Sequence, residues 1–292
     1  MKHTATGLAN EIAMMLAQGG AVVPERSVTP LAGGGSLFCM PATDGTIAIV
    51  KTITYTPGNA RLGRAAIQGD VLVFDVASGR RLACLDGPTV TAQRTAAVSL
   101  LAYQTHAAHL SGPVAIIGAG VQGKAHLEAF HDAGFKEFYI ASKRIESAKA
   151  LASHAQQLGA QAHVLAHPHE AQRDCPILIC ATPAQAIVVN QIPVRDTFLC
   201  AVGSFTPTMA EIAPEVVRWF HEHGQIVLDT DHAHHEAGDL IQAGLGGHRF
   251  AALADGIPDA VEHSGSVFFK SCGWAGWDLA AARYAIRAET SH

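Results

Sequence analysis

The chain has 292 residues, 49% of them apolar and 15% charged, with a net charge of −5. These proportions exclude general disorder and a basic nucleic-acid surface, and no apolar run reaches membrane-spanning length. The length allows one large domain or two moderate ones, each with its own core. The six cysteines (Cys39, Cys84, Cys175, Cys180, Cys200, Cys272) are scattered without a C-x-x-C pair. No signal-peptide core follows Met1-Lys2-His3-Thr4, so a reducing cytoplasm is the expected compartment.

In chain order, residues 8–18 predict a helix and Gly33-Gly34-Gly35 a turn. Strand-like runs follow at 36–40, 46–54, 70–75 and, past Ser78-Gly79, 81–85. This is hairpin spacing, which predicts a mostly antiparallel sheet. Residues 91–109 predict one long helix. From Val114 the pattern changes to alternation, with strands expected at 114–117, 137–141, 162–165, 177–181, 198–202 and 226–229. Helices are expected at 122–133, 145–158, 211–223 and 232–243. Such alternation predicts a parallel sheet covered on both faces. The tail, 274–288, predicts a final helix with Trp274, Leu279, Ala282 and Ile286 on one face. The best junction is Ser111-Gly112-Pro113, which divides the chain into 1–112 and 113–272.

The segment Val114-Ala115-Ile116-Ile117 runs directly into Gly118-Ala119-Gly120-Val121-Gln122-Gly123. Gly118 permits a tight turn out of a strand, Gly120 lets the backbone approach a pyrophosphate, and Gly123 lets the next helix pack close to the sheet. The helix N-terminus then offers free N–H groups to phosphates. In a chain with 28 glycines the bland reading is a turn with no ligand. A strand before it and an amphipathic helix after it favour a dinucleotide. An NAD-binding unit usually closes its second strand with a carboxylate that holds the ribose. Here Phe138-Tyr139-Ile140-Ala141 runs into Ser142-Lys143-Arg144. A hydroxyl and two cations suit a 2′-phosphate, so NADP(H) is expected over NAD(H). The alternative is that Lys143 and Arg144 merely open a solvated helix. Thr182-Pro183 ends the fourth strand of this unit, where loops line the nicotinamide.

Three cations stand out in the first half: Arg26 after Pro24-Glu25, Lys51 on the apolar run Ile47-Ala48-Ile49-Val50, and Arg94 early on a helix of small apolar residues. A cation in such a setting needs an anionic partner or a route to water. Each alone is most simply a structural ion pair; together they would clamp a carboxylate.

Several motifs in this order resemble the ornithine cyclodeaminase/mu-crystallin family. They are Ile49-Val50-Lys51-Thr52 with Asn59, and Leu85-Asp86-Gly87-Pro88-Thr89-Val90-Thr91-Ala92-Gln93-Arg94-Thr95-Ala96-Ala97. Val202-Gly203-Ser204-Phe205-Thr206-Pro207, Glu236-Ala237-Gly238-Asp239-Leu240, and Phe269-Lys270-Ser271 with the helix after it complete the set. The resemblance implies an α/β protein, a Rossmann-type parallel-sheet domain plus a smaller mixed α+β domain. The smaller domain binds substrate, makes a homodimer, and is completed by the C-terminal helix, 273–292. By resemblance Arg26, Lys51 and Arg94 match positions that bind an amino- or imino-acid carboxylate. Thr91 and Lys270 are placed with the cofactor, Lys270 alternatively in a domain-closure contact.

The family's ornithine cyclodeaminases carry an Asp two residues after the glycine that matches Gly203; here that position is Phe205. Phe cannot act as a base or hold a diamine's cationic end. With the missing NAD carboxylate, this implies instead the branch of ketimine reductases. These include the bacterial reductases of 1-pyrroline-2-carboxylate and 1-piperideine-2-carboxylate, whose products are L-proline and L-pipecolate. The expected mechanism is hydride transfer from NADPH to the C=N carbon of a cyclic imino acid oriented by Arg26, Lys51 and Arg94. Lys51 is the candidate proton donor, unless the imine arrives already protonated. An alanine-type amino-acid dehydrogenase, an ornithine cyclodeaminase and a non-catalytic nucleotide-binding protein are the alternatives. His232, His234 and His235, near Asp229 and Asp231, have poor spacing for one helical face, so no metal is expected. Neither a nucleic acid nor a membrane is expected as a partner.

Overall fold

The computed structural model describes residues 4–257 and 264–290. Met1–His3, part of the segment read above for a leader, lie outside the described residues. Contacts divide the chain into two compact units, Met1–Arg94 with Trp274–His292, and Thr95–Gly273.

The first unit opens with α1 (Ala5–Ala17), whose Thr4 cap accepts a hydrogen bond from Gly7 N. A sheet of five strands follows: β1 (Ser27–Leu31), β2 (Gly35–Thr43), β3 (Ile47–Tyr55), β4 (Ile67–Asp75) and β5 (Arg81–Asp86). They lie in sequence order and every pair is antiparallel. Asp44 Oδ1 accepts from Thr46 N and Ile47 N and so makes the β2–β3 turn. The buried face alternates with period two. It carries Met40 and Ala42 on β2, Ile47, Ile49, Lys51 and Ile53 on β3, and Val71 and Val73 on β4. Each fully buried aliphatic among them stabilises by about 1.5–3 kcal/mol. The C-terminal helix, Ala275–Thr290, packs over β2 to β5 and against α1. In this sheet the strand that the sequence pattern does not reveal is β1. It is an exposed edge containing Pro30, so neither face shows the alternation of a half-buried strand.

Helix α2 (Gly87–His106) starts where Asp86 Oδ2 accepts from Thr89 N. The division between units falls inside this helix. Lys51 and Asp278 hold its first turns, at Thr91 and Arg94, to the first unit.

The second unit continues with β6 (Val114–Ile117), α3 (Val121–Asp132), β7 (Glu137–Ala141), α4 (Ile145–Gln157) and β8 (Gln161–Val164). Next come α5 (His169–Asp174), β9 (Ile177–Cys180), β10 (Phe198–Ala201), α6 (Pro214–His223) and β11 (Gln225–Leu228). Then follow α7 (Gly238–Gln242), β12 (Ala251–Ala252) and β13 (Val267–Lys270). The C-terminal helix is therefore α8. The eight strands are ordered β12-β11-β13-β10-β9-β6-β7-β8, and every pair is parallel. Strands β6, β9, β10 and β13 are buried along their whole length, which is why the first three read as continuous apolar runs.

The chain winds from β6 to β8 in one direction and from β9 onward in the other. The switch point therefore lies between β6 and β9, where an open parallel sheet offers a ligand crevice. The expected helix at 211–223 begins later, with Pro214 in its first turn. Residue 211 instead gives its carbonyl to Val188 N. The expected helix at 232–243 is a 3-10 turn, Asp231–His235, followed by α7. Strand β13, missed as an element, sits between β10 and β11. Among the described residues no helix is long and apolar enough to cross a membrane.

Candidate active site

In the second unit, Gly118 has φ +110°, and a Cβ there would collide with Ala181 O at the end of β9. Its N–H donates to Ala141 O (2.8 Å), while Ala181 N donates to Ile117 O (2.8 Å), so the loop is seated between the ends of β7 and β9. Gly120 caps α3 without a side-chain bond, and nothing lies within 4 Å of where its Cβ would stand. At Gly123 a Cβ would collide with Gly118 O, so the helix can approach this closely only as glycine. Ala119 and Gln122 are half-buried and Val121 is exposed. The open side at Gly120 and the unsatisfied amides of α3 fit the pyrophosphate of a dinucleotide. Past β7, Ser142 is half-buried, and Lys143 and Arg144 are exposed. Arg144 caps α4 through its backbone, leaving the guanidinium out of the cap. The first carboxylate downstream is Glu146, in the first turn of α4.

Behind the strand ends lies a buried ionic group. Glu211 Oε1 accepts from Thr182 N (2.8 Å) and Thr182 Oγ1 (2.7 Å), and its Oε2 accepts from Gly203 N (2.6 Å). One carboxylate thus ties the loop after β9 to the loop after β10. Burial pushes its pKa up, opposed by Lys270 and the Thr182 hydrogen bonds. Asp239 accepts from Glu211 N, Ile212 N and the Ser204 hydroxyl. Lys270 Nζ donates to the carbonyls of Ser204 (2.7 Å), Ala201 (3.2 Å) and Ser271 (3.2 Å), and lies 3.4 Å from Asp239. Its side chain is 0% exposed. An ammonium so enclosed is an internal strut. Its three donors are occupied by carbonyls of the chain itself. Asp229 Oδ2 likewise accepts from Ser271 Oγ, Cys272 N and Gly273 N, fixing the turn after β13.

In the first unit, Lys51 projects from the buried face of β3. Its Nζ is 2.9 Å from Asp278 Oδ1 on α8 and 2.7 Å from Thr91 Oγ1, whose own hydroxyl proton goes to Gly87 O (2.8 Å). Thr91, expected at the cofactor, stands beside this ammonium. Arg94 Nε is 3.3 Å from the same Asp278 oxygen. Both cations and the carboxylate are buried. Burial lowers the Lys51 pKa; Asp278 pulls it up and Arg94 pushes it down. Two cations share one carboxylate, so with Lys51 protonated the group carries one uncompensated positive charge. Arg26 is half-buried immediately before β1.

Asp278 escaped the sequence reading, although the signal that flagged Lys51 was present there too. It is a lone charge in the apolar run Trp277-Asp278-Leu279-Ala280. Glu211 and Asp239 had no comparable signal, because their partners are loop amides far away in sequence. The histidines of the 3-10 turn are exposed or half-buried, and no group of metal-ligating side chains forms among the described residues.

The sequence profile of the ornithine cyclodeaminase/mu-crystallin family matches residues 6–290. The chain belongs to this family. Among its relatives, the Delta(1)-pyrroline-2-carboxylate reductase 2 of Burkholderia ambifaria is 39% identical, over 92% of this chain and 86% of that one. The Delta(1)-pyrroline-2-carboxylate/Delta(1)-piperideine-2-carboxylate reductase of Azospirillum brasilense is 35% identical with the same coverage. The solved Delta(1)-pyrroline-2-carboxylate reductase of Thermococcus litoralis, in complex with NADH and L-proline, superposes with a TM-score of 0.88 at 28% identity. That match covers 99% of this chain and 93% of that one. The α/β architecture of the family, one parallel-sheet unit and one antiparallel unit, is the architecture seen here.

Proposed function

We propose that this protein reduces the C=N bond of cyclic imino acids, 1-pyrroline-2-carboxylate to L-proline and 1-piperideine-2-carboxylate to L-pipecolate, with NADPH. The observation that carries the reading is the buried Lys51–Asp278–Arg94 group with its one uncompensated positive charge. Such a group is stabilised by a single carboxylate, the functional group that every substrate of this class presents. The chain's similarity to relatives named as C=N reductases supports an oxidoreductase that uses a nicotinamide cofactor.

Gly118 to Gly123 would hold the cofactor, which when bound would supply the hydride. Ser142, Lys143 and Arg144, a hydroxyl and two cations just past β7, suit a 2′-phosphate through charge-assisted hydrogen bonds, which supports NADPH over NADH. Lys51 and Arg94 orient the substrate by its carboxylate, and Arg26 joins them by family resemblance. Orientation is the main contribution of these cations. Burial, by lowering the Lys51 pKa, also makes its ammonium a better proton donor toward the imine nitrogen. Thr182 and Gly203, clamped by Glu211, keep the loops at the ends of β9 and β10 in place.

We infer a homodimer from the family and from the apolar residues Val22, Val28, Leu31, Leu62, Ile67 and Val76, all exposed on the first unit. Six free cysteines fit a cytoplasmic location.

The test is oxidation of NADPH with 1-pyrroline-2-carboxylate, 1-piperideine-2-carboxylate, pyruvate plus ammonia, and ornithine in parallel. Turnover of the two cyclic imines is expected. Turnover confined to ornithine, or to pyruvate with ammonia, would overturn the reading.

A further inference from the structure

We propose that Asp278 is the positioning residue of the imino-acid site: its Oδ1 ties the Lys51 ammonium to the Arg94 guanidinium and fixes both for the substrate carboxylate. The proposal rests on the reading above, in which those two cations receive that carboxylate.

The geometry supports it from three sides. First, Oδ1 alone meets both cations, at 2.9 Å from Lys51 Nζ and 3.3 Å from Arg94 Nε, so one atom sets their separation. Second, Oδ2 is buried and makes no hydrogen bond among the described residues. A carboxylate retained only to pin α8 to the sheet would satisfy both oxygens, since a buried unpaired acceptor costs stability. Third, Asp278 lies in the first turn of α8, where the helix dipole favours a negative charge.

Among the described residues, Asp278 and Arg94 are the charges that act on Lys51. From β2 and β4 its cross-strand neighbours are Met40 and Val71. From α2 it meets Thr91 and Arg94, while Asp86 of β5 is exposed and caps α2. Glu11 of α1 is committed to Arg283 and Arg287 of α8.

Without Asp278, Lys51 would face Arg94 alone in a dry environment, and a guanidinium does not give up its proton. Lys51 would therefore lose its own proton at lower pH. A bound substrate carboxylate puts an anion back beside it. The free enzyme should feel the change more than the substrate complex, and the two are reported separately by kcat/KM and kcat.

The experiment records both pH profiles for the wild type, Asp278→Asn and Asp278→Glu, using whichever carboxylate substrate of the panel above the wild type turns over. The choice of substrate tests the function reading; the displacement between variants tests Asp278. For Asp278→Asn the alkaline limb of kcat/KM should move down by about one pH unit or more, so that activity there falls about tenfold, while the kcat limb moves less. Profiles that merely scale in height, with both limbs in place, would overturn the proposal, because they mean lost folded enzyme and nothing else.

If Asp278→Asn does not fold, Asp278→Glu decides. It should keep the alkaline limb but raise KM severalfold by displacing the two cations, and an unchanged KM would overturn the proposal. If no substrate of the panel reacts, NMR titration of 13C-labelled lysine reads Lys51 directly, with Lys51→Arg assigning its signal. An identical Lys51 titration in the wild type and the folded variant would then overturn it.

Discussion

Lys51 and Lys270 are both sealed from solvent, one in each unit, yet their surroundings drive them in opposite directions. Burial lowers Lys51, and one shared carboxylate, opposed by Arg94, does not restore it. Burial opposes the charge of Lys270 as well, but the Cys272 sulfur, Asp239, Glu211 and Asp229 outweigh it, and its pKa is raised. Every proton of the Lys270 ammonium meets a carbonyl, whereas around Lys51 the carboxylate is shared and half of it stays unpaired. The difference teaches which buried lysine is available for chemistry. A fully satisfied ion holds the fold. An ion in cationic excess waits for a ligand.

Substitution can break this comparison at its strongest point. Lys270→Met leaves Asp239 without its cation and three carbonyls without a donor. It should cost about 3–5 kcal/mol of stability, read as a large fall in melting temperature or as failure to fold. Lys51→Met should fold, because Arg94 still neutralises Asp278. Its kcat/KM should nevertheless drop by roughly a thousandfold, about 4 kcal/mol of transition-state binding, in steady-state assays across pH. If lower pH restored that rate, Lys51 would not be the proton donor and the imine would arrive protonated from solution.

A third group sharpens the rule that satisfied burial means structure. His126 on α3 is fully buried, with Nδ1 2.7 Å from Gln122 O and Nε2 2.9 Å from Ser99 Oγ, and burial pushes its pKa down to about 4. The folded imidazole therefore stays neutral down to about pH 4, whereas the unfolded chain takes up the proton near pH 6.5. Acid favours the unfolded state in that window. The protein should lose about 3 kcal/mol of stability between pH 6.5 and 4 from this residue. Denaturant titrations at several pH values should show that slope, and His126→Gln should flatten it.

The smallest effect tests exposed cations against buried ones. Arg144→Asp should leave folding intact and raise KM for NADPH by about tenfold relative to NADH, the scale of one charged hydrogen bond. Equal changes for both cofactors would remove the 2′-phosphate reading.

The alternating half of the molecule was largely legible because its buried strands β6, β9 and β10 read as apolar runs bounded by turn residues. Strands β6 and β7 fall where periodicity places them, at Val114–Ile117 and Glu137–Ala141. Strand β13 was not legible as an element, since a buried strand ending in Lys270 contradicts the apolar rule. Only the carbonyls and carboxylates that converge on it make the position tenable. Within the candidate site, Lys51 and Arg94 announced themselves as cations in apolar company, and the glycines of the β6–α3 loop announced theirs by spacing.

By itself the sequence determined the change from hairpin spacing to strand–helix alternation, the dinucleotide turn and the need for an anion near Lys51 and Arg94, because these follow from local pattern and from the cost of burying charge. Tertiary structure alone decided which anion answers that need and how completely. It brought Asp278 from the far end of the chain to two cations at once, while giving Lys270 a full shell. Pairing in a low-dielectric interior depends on angstroms of separation that sequence distance does not encode.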